Sequence, residues 1–228
     1  MKAKLEILAL VLGFIGLFGT ITVTALPTWK VSAFIGANLI VMEELWEGLW
    51  MTCYRQMNLR MQCKVYDSLL ILPAELQAAR GLMCVSIALA VISLVVTGFG
   101  IKRTNLCGDN TRNKNITLAI GGSLYLISFL TTLIPISWVG HSIIRQFYNA
   151  ATHDAQKREL GQALYIGWAT SAVLLVTGII LLVRYDKRRS DEEQVYNGIY
   201  LMEGKNVPNQ DTIYQPKTES NMFKQEYV

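Results

Sequence analysis

Charge is scarce in this 228-residue chain: Asp, Glu, Lys and Arg make up 17% of it, against 52% hydrophobic residues. Four stretches, residues 7–26, 81–101, 115–140 and 160–183, contain none of the four charged types. Each is at least as long as the roughly 20 helical residues that cross about 30 Å of hydrocarbon. A water-soluble domain of this length is not so segregated. The lack of charge inside the runs also excludes a pump or coupled transporter. The one ionisable side chain at a span is His141, at the outer edge of the third, so a proton or ion relay has no groups to run on. Histidine is nearly absent, and His141 and His153, the two in the chain, lie in a different loop from Cys53 and Cys63, so a zinc site on that cysteine pair would be short of the four ligands it wants. No activated nucleophile, metal cluster or carboxylate pair points to an enzyme or to a cofactor.

What charge remains is placed with a bias. Lys2 and Lys4 precede the first run, Lys102, Arg103, Arg112 and Lys114 lie between the second and third, and Arg184, Lys187, Arg188 and Arg189 follow the fourth. Basic residues crowd the cytosolic flanks of membrane spans, so both termini are expected in the cytosol. The first run is too long for the apolar part of a signal peptide and ends at Pro27 without a small-residue cleavage pattern. The predicted organisation is a cytosolic N-terminus over residues 1–6, spans at 7–27, 81–101, 115–140 and 160–183, extracellular loops at 28–80 and 141–159, a cytosolic loop at 102–114, and a tail at 184–228. The tail is so polar that it is expected to be disordered.

The long first loop alternates in strand fashion, with Val31, Ala33 and Ile35 on one side, then Leu39, Val41 and the run to Leu45, and with Gly36 and Asn38 as a turn between them. A small extracellular antiparallel sheet is predicted. Pro73 then opens a run of good helix formers, Ala74 to Arg80, that feeds into the second span. Cys53 and Cys63 are the two cysteines of the loop, and an oxidising exterior favours a disulfide between them. A lone Trp29 beside the membrane reads as an interfacial anchor.

The set formed by Trp29, Gly48, Leu49, Trp50, Cys53, Cys63 and Arg80 does more. In order and spacing it resembles the first-loop signature of the claudins, and the resemblance extends over roughly residues 5–184. The stretch from Cys63 to Cys84 is similar to claudins eight and seventeen. This resemblance implies a mainly α membrane protein: a left-handed four-helix transmembrane bundle carrying a small extracellular antiparallel β-sheet. It implies localisation at the plasma membrane, in tight junctions, with itself and other claudins as partners in the same and opposing membranes. Trp29, Gly48, Leu49, Trp50 and Arg80 would brace the sheet. The competing reading is a regulatory four-span channel subunit, since calcium-channel gamma subunits share a related loop.

Ion selectivity in such a protein comes from fixed charge along a water-filled gap. From Cys53 to the residue after Cys63 the chain carries Arg55, Arg60 and Lys64 and no acid. Lys64 stands where cation-passing members resemble one another in having an acidic pore residue, so Lys64, with Arg55 or Arg60, is expected to repel cations and make either a cation barrier or an anion-favouring pore. Against this, Asp67 is close by and the whole loop is charge-neutral, which describes an ordinary solvated face. The resemblance assigns Phe147 and Tyr148 to contacts between cells, packing against the first-loop sheet being the alternative. It matches Tyr227 and Val228 to C-terminal endings that dock on junctional PDZ scaffold proteins, in keeping with strand addition by a free carboxylate. It matches Cys107 to a position often palmitoylated in contact with membrane lipid, a plain free thiol being the alternative.

Overall fold

The computed structural model describes residues 2–33, 43–56, 60–68, 72–100, 111–149 and 157–205. Four helices, α1 (Lys2–Ala25), α2 (Ala74–Gly100), α3 (Thr111–Phe147) and α4 (Gln162–Lys205), accompany strands β1 (Lys30–Ser32), β2 (Glu43–Glu47), β3 (Met51–Gln56), β4 (Gln62–Val65) and β5 (Arg158–Leu160). Each helix contains a segment long and apolar enough to cross a membrane: Leu5–Ala25, Ala74–Gly100, Lys114–Phe147 and Gln162–Val195. The described residues are thus mainly α, with one small antiparallel sheet in the order β4-β3-β2-β1-β5.

Without a hydrophobic drive between apolar helices in lipid, spans associate through close packing of small residues and through hydrogen bonds. Both devices are present. A side chain added at Gly122 of α3 would stand 3.2 Å from the carbonyl oxygen of Gly178 in α4, and one added at Gly178 would stand 3.1 Å from that of Gly122. Between α2 and α3, Ser86 Oγ lies 3.0 Å from Ser128 Oγ and 2.5 Å from Thr132 Oγ1, and Ser128 Oγ donates to the Ser86 carbonyl at 3.1 Å. Large apolar side chains such as Phe14, Phe18, Val95 and Ile134 point outward instead, as residues facing lipid do.

Two apolar cores follow. One lies beneath the sheet and joins Val23 of α1, Trp29, Leu49, Leu76 and Met83 of α2, Ile136 and Val139 of α3, and Leu164 of α4. The other, built on Ala9, Leu118, Tyr125, Leu174 and Leu181, lies deeper in the bundle.

One feature goes beyond the sequence-based expectation and one corrects it. In the second loop, Arg158–Leu160 pairs antiparallel with β1, Lys30 opposite Leu160 and Ser32 opposite Arg158, and so adds a fifth strand among the described residues. The segment from Arg184 to Lys205, expected to be disordered, is helical. It continues a span that is already nucleated, so each added residue contributes a hydrogen bond without a new nucleation cost. A second compact unit begins at Ser190. The turn expected at Gly36 and Asn38 lies outside the described residues.

Candidate functional site

The sheet is fixed to the helices by the residues between α1 and β1. Pro27 has no N–H, so the carbonyl of Val23, four residues earlier, lacks its backbone donor at the end of α1. Trp29 supplies one: its fully buried indole donates Nε1–H to Val23 O at 2.9 Å. Burying roughly 200 Å² of tryptophan contributes about 5 kcal/mol at about 25 cal/mol per Å². The Thr28 carbonyl then accepts from Ala163 N at 3.1 Å, which satisfies one orphan donor of the first turn of α4. One short segment thereby holds two helices and the sheet.

The loop between β2 and β3 docks on the same spot. Gly48 is required by space: a Cβ there would collide with the Pro27 backbone. Leu49 is fully buried in the core below, and its carbonyl accepts from Nε of Arg80, a buried residue of α2. The Arg80 guanidinium also lies over the rings of Trp50, at 5.1 Å, and Tyr66, at 5.3 Å. Its cation is therefore enclosed by a carbonyl and two aromatic faces. Burial pushes the Tyr66 phenol above its ordinary pKa, while the hydroxyl of Thr52 hydrogen-bonds it at 2.8 Å. All five predicted bracing residues thus converge. Tyr66 completes the cluster, and nothing in its sequence neighbourhood marks it out.

Cys53 and Cys63 form a disulfide across β3 and β4, directly opposite each other with Cα atoms 4.0 Å apart. Ion pairs tie the remaining strands. Lys30 Nζ in β1 reaches Glu75 Oε1 in the first turn of α2 at 2.9 Å, with both side chains largely buried. Arg158 of β5 reaches Glu47 of β2 at 3.1 Å, spanning the strand between them. Sequence reasoning missed both pairs, because they link positions far apart in the chain.

The three cations expected to set selectivity fare differently. Arg55 pairs with Glu44, its direct cross-strand neighbour, at 2.5 Å and lies over Trp46 at 5.9 Å. Lys64 stands on the edge strand β4, all four residues of which are exposed, and reaches Asp67 at 2.6 Å. That hydrogen bond and the neighbouring negative charge hold the Lys64 ammonium above the ordinary lysine range. Both side chains of the pair are more than two-thirds exposed, at 79% and 72%. Water screens such a pair and it opens readily. Arg60 is exposed in the connection between β3 and β4.

Phe147 ends α3 and Tyr148 follows it, edge to face at 5.5 Å, with Tyr148 81% exposed. With Ile143, Leu160 and Arg158 they line a shallow groove of about 160 Å³ beside β5. Lys157 Nζ lies 5.9 Å from the Phe147 ring centre. Cys107, Tyr227 and Val228 lie outside the described residues.

Residues 3–181 match the sequence profile of the PMP-22/EMP/MP20/Claudin family. The chain is 51% identical to Claudin-17 of Sus scrofa over 177 residues, covering 78% of this chain and 79% of that one. It is 52% identical to Claudin-8 of Mus musculus over 176 residues (77% and 78%) and 50% identical to Claudin-3 of Homo sapiens over 181 (79% and 82%). With four candidate spans, a disulfide-bonded sheet and the Trp29 to Arg80 cluster seated at its base, the chain belongs to the PMP-22/EMP/MP20/Claudin family and, within it, to the claudins.

Proposed function

We propose that this chain is a strand-forming protein of tight junctions, not an enzyme, that associates with copies of itself and other claudins and seals the space between cells. The observation that carries this reading is identity of about half to claudins along the spans and loops. In this reading the sheet is extracellular and both termini are cytosolic, in keeping with the basic residues at the flanks of the spans. Tyr148, exposed, and Phe147, half-buried beside it, present an aromatic edge toward the opposing cell.

Charge selectivity is assigned to β4. Arg55 is neutralised by Glu44 across the strand and leaned on Trp46, which makes it part of the scaffold. Lys64 is the cation that meets water on an edge strand, with Arg60 beside it in the chain, and Asp67 offsets it through a pair that water weakens. A gap lined by such strands favours chloride over sodium. On the inner side, Tyr227 and Val228 dock on PDZ scaffold proteins and Cys107 is a site for palmitate in contact with lipid.

Expression in fibroblasts that lack junction strands tests the assembly. Freeze-fracture should reveal continuous branching strands where two expressing cells meet. Scattered particles with no strands, in the presence of any partner claudin, would remove the proposal.

A further inference from the structure

At the end of the bundle away from the sheet, the four helices meet in a buried charged cluster. Glu6 of α1 accepts through one oxygen from two arginines of α4: from Arg184 Nη2 at 2.9 Å and from Arg188 Nη2. Arg188 Nη1 reaches toward Asn115 Oδ1 of α3 at 3.3 Å and the Gly100 carbonyl of α2 at 3.4 Å. All three ionic side chains are at least nine-tenths buried.

The donors and acceptors do not balance. Two guanidiniums offer ten N–H groups between them, at five each. Among the described residues, Arg184 has the single bond to Glu6, and the Nε groups of both Arg184 and Arg188 are buried with no acceptor at all. Two positive charges share one negative charge. A buried cation without a full complement of acceptors is costly, so a second anion is called for. Lys114, adjoining Asn115 in α3, is buried as well and adds to the demand.

The level of the cluster in the membrane indicates which anion. Glu6 directly precedes the uncharged run 7–26, Lys114 directly precedes the run 115–140, and Arg184 directly follows the run 160–183. All three therefore stand at one boundary of the hydrocarbon, the depth at which lipid phosphates lie. We propose that Arg184 and Arg188 bind the phosphate of an anionic phospholipid in the leaflet opposite the sheet, with Glu6 holding the two side chains in place and competing for their donors. Guanidinium pairs suit phosphate because their forks match its oxygens two at a time. The lipid would add a second anion where the helices already meet through Glu6, Asn115 Oδ1 and the Gly100 carbonyl.

The test follows the melting midpoint of the detergent-purified full chain during titration with dioctanoyl phosphatidic acid, dioctanoyl phosphatidylcholine and inorganic phosphate. Phosphatidic acid should raise the midpoint saturably at concentrations where the other two do not. Arg188→Gln should weaken the response by about tenfold, the equivalent of about 1.4 kcal/mol. Arg184→Lys, which keeps the charge but loses the fork, should weaken it severalfold. Glu6→Gln, which frees donors while keeping an acceptor, should tighten it. Lys187→Gln, an exposed neighbour, should leave it unchanged. An equal response to inorganic phosphate would overturn the lipid assignment. Undiminished responses in both arginine variants, or weaker binding in Glu6→Gln, would overturn the site.

Discussion

Trp29 shows how one side chain can combine anchoring with capping. A phenylalanine there would keep most of the burial, but it would leave the Val23 carbonyl without the donor that Pro27 already withholds. A buried, unsatisfied carbonyl costs about 1–3 kcal/mol. Trp29→Phe should lower the melting temperature of the purified protein by that equivalent, and an unchanged midpoint would show that another donor reaches the carbonyl. Tyr66 makes a pH prediction. Burial raises its pKa in the folded state above the unfolded value of about 10. The folded state therefore holds its proton longer, and the contribution to stability, complete below the unfolded value, is lost as pH rises through the folded one. Unfolding followed upward from about pH 10 should show wild type losing stability faster than Tyr66→Phe. Parallel curves would mean that the phenol is hydrated.

Among the elements, β3 and β4 depend on a covalent bond more than on burial, since every residue of β4 is exposed. A disulfide closing so short a loop stabilises by about 3 kcal/mol in the chain-entropy account. Cys53→Ser with Cys63→Ser should therefore free β4 first, seen as fast amide exchange over Gln62–Val65 while β1 and β2 keep their protection. Uniform loss across the sheet would show that the bond holds all of it. This hairpin was legible in the sequence because two cysteines in one extracellular loop have few alternatives. The strand β5 was not, because Arg158, Glu159 and Leu160 carry no alternation and their partner β1 is more than a hundred residues away. The pairing of Arg55 with Glu44 was hidden for a related reason: it depends on a register that hydrophobic pattern alone does not set for a charged segment. Glu6 was invisible as a cluster residue because it looks like an ordinary charge ahead of an apolar run.

Across the whole molecule, the four charge-free runs make the spans readable from the sequence, since the bilayer imposes length and polarity together. The Trp29, Gly48, Leu49, Trp50 and Arg80 signature was readable as a set, and the structure supplies its physical reason: every member touches the junction of sheet and bundle. What separates this chain functionally from a relative with the same scaffold must then lie on surfaces the scaffold leaves open, and β4 is such a surface. In the function proposed above, Lys64 on this edge makes the junction exclude cations. Dilution potentials across epithelial layers expressing wild type or Lys64→Asp test it most directly. The sodium-to-chloride permeability ratio should be low in wild type and rise several-fold in the variant at equal junctional expression; equal ratios in the two layers would contradict it.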